Sequence, residues 1–260
     1  MKPIEPAQTP SVPGMTRKIR DFWTRNVNAE RLFGQQVSQH PRGEEAYFQD
    51  LETQRYRSHR HLLPWIATMR APATVLEIGC GIGLDSYTIA RQGLDLVAVD
   101  LTEVGVRTAS QRFAHNALAG AFAVANAEDL PFPDNHFDYV YSFGVLHHAD
   151  DTERCIREVH RVLRPGGEAR IMLYNRHSLN EVMHRLLRVP FEERDELCPV
   201  VRRFDRRELL AMFAPFSRVD LGIEYLFGEG YGAVYRLMPR WLYDPLSHRI
   251  GWHWMIAARK

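Results

Sequence analysis

The stretch Ala73-Thr-Val-Leu-Glu-Ile-Gly-Cys-Gly-Ile-Gly83 decides the fold, together with the Leu-Asp-Ser-Tyr-Thr-Ile-Ala-Arg-Gln-Gly93 that follows it. Residues 73–79 form a short apolar run ending on glycine, which reads as a buried strand. Glycine lets the backbone turn tightly and approach a ligand with no Cβ in the way. A helix follows and is closed by Gly93. Downstream the alternation continues. Asp95–Asp100 is a second strand and Thr102–Asn116 a second helix. Ala121–Ala125 and Phe137–Phe143 are the third and fourth strands. Thr152–Leu163 is a helix stopped by Pro165-Gly166-Gly167, and Glu168–Tyr174 is a fifth strand. Strands alternating with helices of this length imply βαβ units and a parallel sheet covered on both faces.

Outward from this core the pattern loosens. Leu179–Arg188 and Asp205–Phe213 read as helices, the second with Asp205 as N-cap. Arg218–Ile223 and Trp252–Ala258 read as strands, and the aromatic, glycine-containing segment between them is longer than an ordinary connection. Upstream, Ile19, Phe22, Trp23 and Val27 share one helix face, and a second helical stretch runs from Gly43 to Arg70, with Pro64 breaking or restarting it. The first fourteen residues hold four prolines and read as a disordered tail. The division is therefore a tail at 1–14, a helical cap at 15–71 and a core at 72–260, with cap insertions near 175–203 and 224–247.

Composition narrows the function classes. The chain has 260 residues, 33 basic and 32 acidic, for a net charge of +1. No global field attracts nucleic acid. No apolar run approaches the roughly 20 residues needed to cross a bilayer, and no secretory leader is apparent. Cys80, Cys155 and Cys198 are widely spaced and odd in number, which points to neither a disulfide framework nor a zinc site. A soluble cytoplasmic protein is the expectation.

The chemistry concentrates at the strand ends. A glycine loop serves NAD, FAD and adenosylmethionine sites alike. Asp100 ends the second strand 23 residues beyond Glu77, the place of an acidic group that grips ribose hydroxyls. The block Asn126-Ala-Glu-Asp-Leu-Pro-Phe132 follows the third strand, and Arg161-Val-Leu-Arg-Pro-Gly-Gly167 precedes the fifth. Together with the glycine loop these resemble the class I S-adenosylmethionine-dependent methyltransferases, in particular the ubiquinone/menaquinone C-methyltransferases and related small-molecule enzymes. The resemblance covers about Val75 to Tyr174.

The resemblance implies an α/β, Rossmann-like, doubly wound sheet of seven strands with the last antiparallel. To this the chain adds a helical N-terminal cap and an aromatic insertion before the last strand. It implies S-adenosyl-L-methionine as cofactor. Gly79 and Gly81 would pass close to the methionine part, with Glu77 turned to its amino group. Asp100 would take the ribose diol and Leu101 the adenine face. Asn126, Ala127 and Glu128 would lie at the adenine edge, the Ala127 N–H donating to a ring nitrogen. Ser142 and Phe143 would sit under the sulfonium, although Ser142 could equally satisfy a strand-end hydrogen bond and Phe143 belong to the core. Tyr47 and Arg55 would reach the methionine end from the cap, Arg55 meeting the carboxylate or standing as a solvated helix residue.

For transfer itself, His147 and His148 are the candidates for a general base, because imidazole titrates near neutrality. Packing or substrate contour is the competing reading. His147, His148, Asp150 and Asp151 could also suggest a metal. Their spacing is wrong, however, and the aspartates suit the start of a helix, so no metal is expected. Tyr174, Tyr225 and Tyr231 are the candidate acceptor contacts. Arg202, Arg203, Arg206 and Arg207, flanked by Glu192, Glu193, Asp195 and Glu196, form a solvated charged face or a grip on an anion. The expected partner is a small-molecule methyl acceptor, aromatic or lipophilic. No nucleic acid and no membrane span are expected, and a homodimer is left open. The alternatives are an RNA methyltransferase, opposed by the neutral charge and the missing Asn-Pro-Pro-Tyr tetrapeptide, and a non-catalytic partner protein of the same fold. A dehydrogenase fits the glycine loop but not the Leu-Pro-Phe block.

Overall fold

The computed structural model describes residues 14–27, 30–32, 35–187, 197–228 and 231–260. Seven strands form one sheet: β1 (Thr74–Ile78), β2 (Asp95–Asp100), β3 (Ala121–Val124), β4 (Phe137–Phe143), β5 (Leu163–Tyr174), β6 (Arg218–Glu224) and β7 (His253–Arg259). Their spatial order is β3-β2-β1-β4-β5-β7-β6. The first five run parallel, with Leu76 opposite Val97 and Val140. β7 lies antiparallel between β5 and β6, Ile256 pairing with both Ile171 and Leu221. This is the expected doubly wound sheet with an antiparallel last strand. The order reverses at β1 and β4, so a crevice opens above their carboxyl ends.

The parallel strands are buried on both faces, as their nearly continuous apolar runs require. Val75, Leu76, Val99, Val140 and Ile171 are all buried. One face carries α4 (Leu84–Arg91) and α5 (Glu103–His115), and the other α6 (Thr152–Val162) and α8 (Arg206–Met212). Asp205 caps α8 in a capping box with Glu208. Preceding the sheet are α1 (Gly14–Arg25), α2 (Glu45–Ser58) and α3 (Leu62–Ile66), with a small ribbon of Arg31–Leu32 against Gln35–Gln36.

Arg112 of α5 fastens the cap to the core. Its guanidinium is buried, meets Glu52 at 2.6 Å and Glu45 at 3.1 Å from α2, and stacks on Tyr87 and Phe48. A buried cation paired this way holds α2 in one place, because pulling it away strands the charge.

Three boundaries differ from the sequence reading. β5 starts at Leu163, directly after α6, and not beyond the Pro-Gly-Gly. Leu163 pairs with Phe137, while the Gly166 N–H donates to Lys260 O and the Lys260 N–H to Gly167 O, so the sheet absorbs the turn residues. Of the two roles open to Pro64, it takes the restart: it lies in the first turn of α3, where a missing N–H costs no helical bond, and the break itself falls at His59–His61. The aromatic segment before β7 contains two helices, α9 (Ala233–Leu237) and α10 (Arg240–Ile250), and α7 (Leu179–Leu187) lies beside them. The expected tail falls on residues 1–13, outside the described residues, except for Gly14, which opens α1. Among the described residues no helix is long and apolar enough to cross a membrane.

Candidate active site

β1 delivers the chain to Gly79 at the carboxyl edge of the sheet. Gly79 has φ +77, and a Cβ there would lie 2.2 Å from Val145 Cγ2, so only glycine fits. The Gly79 and Cys80 N–H groups both donate to Val99 O, which stitches the loop to β2. Gly81 has φ +50, and a Cβ on it would meet nothing within 4 Å. Gly105, which the sequence reading passed over, lets α5 press against this loop: a Cβ there would stand 2.9 Å from Gly81 O.

A cleft opens over this loop. Glu77, Gly79, Gly81, Asp100, Leu101, Asn126, Ala127, Glu128, Phe143 and Arg55 all line it, although five separate segments contribute them. Ser142 and Tyr47 do not. Ser142 is buried and donates to Ile78 O at 2.9 Å, the strand-end bond weighed as its alternative. Tyr47 packs with Val27, Ile82 and Leu84, and its hydroxyl is committed to Glu30. The cap closes the cleft from above with Thr16, Ile19, Trp23 and Val27.

Asp100 is wired to its surroundings. Its Oδ1 accepts from the Thr102 N–H at 2.8 Å and the Thr102 hydroxyl at 2.7 Å; its Oδ2 accepts from the Gly81 N–H at 2.8 Å. Oδ2 thus keeps a lone pair on the cleft side. Burial raises the carboxyl's pKa, against the pull of the Thr102 and Gly81 donors.

Glu77 accepts a hydrogen bond from the Ser86 hydroxyl. Burial, reinforced by the nearby Asp85, pushes its carboxyl up to about 8. The Ser86 hydroxyl and the charge of Arg55 pull the other way without offsetting this.

Arg55 supplies one positive charge, but Asp85 claims it. Nε meets Oδ1 at 2.8 Å and Nη2 meets Oδ2 at 2.6 Å. Tyr56 and Tyr141 also donate to Asp85, at 3.2 and 2.8 Å. Burial opposes the guanidinium's charge, yet Asp85 holds its pKa above the ordinary value. Arg55 also lies 5.2 Å over the Phe143 ring. Asp85 and Tyr141 were missed from sequence. Asp85 is 30 residues from Arg55, and no local spacing signals the pair.

Asn126 folds its own loop, its Oδ1 accepting from the Glu128 N–H at 3.1 Å. Glu128 Oε1 accepts from the Asp151 N–H, so part of its carboxylate is spent holding α6.

The two histidines separate. His148 lines the cleft, and its Nδ1 lies 2.7 Å from Val200 O. A carbonyl only accepts, so Nδ1 carries the proton and Nε2 the lone pair. His147 is fully buried, lies outside the cleft lining, and has no hydrogen-bond partner on either ring nitrogen. Burial holds its pKa well below the ordinary histidine value.

The aromatic candidates lie further out. The Tyr174 ring lies tilted against His147, 3.8 Å between centroids. Tyr225 stacks on both His59 and His253, at 4.6 and 4.4 Å, and those two rings lie 5.5 Å from each other; its backbone is at φ +66. The Tyr231 hydroxyl donates to Asn180. None of the three lines the cleft. Asp151 caps α6 by accepting from the Arg154 N–H. Among the described residues no His, Cys, Asp or Glu group is placed to hold a metal. In the arginine run, Arg203 pairs with buried Glu181 and Arg202 donates to Asp150 O. Its acidic flank, residues 192–196, lies outside the described residues.

The cleft suits adenosylmethionine. Glu77 wants a cation. Gly81 leaves open space where a side chain would stand. Asp100 keeps an acceptor for a hydroxyl. The buried Thr16 hydroxyl in the cleft wall has no partner.

Residues 76–171 match the family model described as a methyltransferase domain. The chain is similar to the sterol 24-C-methyltransferase of Pneumocystis carinii, 25% identical over 71% of this chain and 48% of that protein. It is 33% identical to the chloroplastic tocopherol O-methyltransferase of Arabidopsis thaliana, over 48% of this chain and 36% of that one. The chain thus spans at most about half the length of these curated relatives. Its fold is that of a crystal structure of a SAM-dependent methyltransferase from Thermotoga maritima, with TM-score 0.64 and 18% identity over 93% of this chain and 99% of that one.

Proposed function

We propose that this chain is a class I S-adenosylmethionine-dependent methyltransferase that transfers a methyl group to a small organic molecule, a reading supported by the methyltransferase-domain match over residues 76–171. The cleft carries this reading. It joins the glycine loop, Asp100 and the Asn126-Ala127 turn over the carboxyl ends of the strands, and places the Glu77 carboxyl beside them, where a bound ammonium would favour its ionised form.

When bound, adenosylmethionine supplies a methyl group made electrophilic by its sulfonium. The chain's own residues hold and shield it. Asp100 Oδ2 accepts from the ribose hydroxyls, and Leu101 covers the adenine. The Ala127 N–H donates to the adenine edge. Arg55 meets the carboxylate while Asp85 fixes the guanidinium, and Glu77 faces the ammonium. Ile19, Trp23 and Val27 exclude water. Orientation of this kind contributes about 7–11 kcal/mol in favourable cases. Where the acceptor's nucleophile bears a proton, His148 Nε2 takes it, because Nδ1 is already committed to Val200 O. His147 has no such role.

The acceptor is aromatic or lipophilic, in keeping with the sterol and tocopherol enzymes to which the chain is similar. The setting is cytoplasmic, the partner is a small molecule and not a nucleic acid, and a homodimer is compatible. Calorimetry against adenosylmethionine, adenosylhomocysteine and NAD tests the cofactor. Binding of NAD without the other two sinks the reading. A methyl-transfer screen read by mass spectrometry then finds the acceptor.

A further inference from the structure

The cap carries apolar side chains on its outside as well as its inside. Inward, Leu226, Phe227 and Tyr235 are buried, with Tyr243, Leu246 and Ile250 packed against them. The Tyr243 hydroxyl donates to Phe227 O and the Tyr235 hydroxyl to Arg57 O, so this interior is complete. Outward, Val234 and Leu237 are 58% and 81% exposed on α9, and Trp241 and Leu242 are 76% and 38% exposed in the first turn of α10. Scattered exposed apolar residues need no explanation, but four within nine residues, one of them a tryptophan, do. The same stretch exposes Arg236 and Arg240, with Asp244 the one acid between residues 233 and 250.

We propose that the outer face of α9 and the start of α10 docks on an anionic lipid surface. Tryptophan, leucine and arginine together suit the boundary between lipid headgroups and acyl chains. Charge argues against a second copy of this chain. A two-fold interface sets a patch against itself and would bring Arg236 and Arg240 against their own counterparts. An anionic bilayer meets those cations with opposite charge.

A groove lies beside this face, sharing Arg240 with it. Its volume is about 880 Å³, and it is lined by Arg240, Tyr243 and His248 of α10 together with His61 and Tyr225. His61 lies 6.0 Å from the Phe143 ring of the cleft, and Tyr225 stacks on His253, itself 5.3 Å from Phe143. One layer of rings therefore divides the groove from the cleft. Delivery of a lipophilic acceptor along this groove rests on the methyl-transfer reading; the docking does not.

The test is flotation of the full chain with vesicles of equimolar phosphatidylglycerol and phosphatidylcholine, or of phosphatidylcholine alone. Partitioning should be at least about tenfold stronger on the anionic vesicles and weaken in about 0.5 M salt. Leu237→Glu with Trp241→Glu, and separately Arg236→Glu with Arg240→Glu, should each lower it at least about tenfold. Trp241→Phe should retain most of it. These side chains are exposed, and unchanged adenosylmethionine affinity by calorimetry confirms folding. Three outcomes overturn the proposal: no partitioning, partitioning indifferent to both double substitutions, or a dimer in light scattering that the same substitutions dissolve. Any of these leaves the methyl-transfer reading standing, whereas a wild-type chain that floats but binds no adenosylmethionine sinks that reading alone.

Discussion

Arg55 and Asp85 meet side by side beneath the cleft, Nε to Oδ1 at 2.8 Å and Nη2 to Oδ2 at 2.6 Å, joining cap helix α2 to the first turn of α4. The pairing neutralises a largely buried guanidinium. The cap brings the cation and the core brings its partner, so docking of α2 and the charge at the cleft depend on one contact.

Removing one partner should be costly. Asp85→Ala leaves Arg55 buried and unpaired, a loss of about 3–5 kcal/mol where such pairs are broken. For a chain of this size that lowers Tm by roughly 10 °C. Replacing both, with Arg55→Met and Asp85→Leu, should recover most of the stability but not the affinity for adenosylmethionine. Differential scanning calorimetry and titration calorimetry separate the two; equal recovery of both would mean that Arg55 plays no part in binding.

Asp100→Ala should weaken adenosylmethionine binding at least tenfold, about 1.4 kcal/mol or more. Asp100→Asn should be nearly as damaging despite its matching shape. Three protein donors already point at this carboxylate, two from Thr102 and one from Gly81. An amide would turn an NH₂ towards one side of that set, donor against donor. Titration calorimetry on both variants gives the answer, and full affinity in the asparagine variant would refute the argument from opposed donors.

The two variants also mark what sequence can and cannot show. Asp100 was legible because a strand, a glycine loop and a fixed spacing place it, all of them local or periodic signals. Asp85 was not, since its partner lies thirty residues upstream on a helix whose docking depends on Arg112 and two glutamates. Aromatic density before β7 announced burial but not direction. Tyr225 turned to His59 and His253, and Tyr231 to Asn180. Ser142 faced the same uncertainty, because a strand alternates sides and a hydroxyl at its end has a carbonyl within reach.

Glu77 predicts the pH behaviour. Burial raises its pKa from the ordinary value near 4.5 to about 8, so between those limits the folded chain holds a proton that the unfolded chain has lost. Stability from this group is complete below about pH 4.5 and declines as the pH climbs through 8. Glu77→Gln should remove that decline and be the more stable form above pH 8. A bound ammonium favours the carboxylate, so binding of adenosylmethionine should release protons near neutrality. Calorimetry in two buffers of different ionisation enthalpy measures the release, and identical enthalpies in both would exclude it.

His147 and His148 are adjacent and should behave oppositely. His148 reaches the cleft, and its Nδ1–H donates to Val200 O. His148→Ala should lower turnover of a protic acceptor about 10²–10⁴-fold, the usual contribution of a positioned base, and leave adenosylmethionine affinity nearly unchanged. His147 is buried with both nitrogens unpartnered, and replacing such a group by an apolar one of similar size is neutral or stabilising. His147→Leu should therefore keep turnover and hold or raise Tm. It should also flatten the loss of stability in acid, since an imidazole whose pKa is lowered by burial takes up its proton more readily in the unfolded chain. Steady-state kinetics with the acceptor from the mass-spectrometric screen, paired with thermal melts at pH 5 and 8, decides between them. Should the leucine variant lose turnover while the alanine variant keeps it, the base assignment is reversed, because Nε2 of His148 would then be idle.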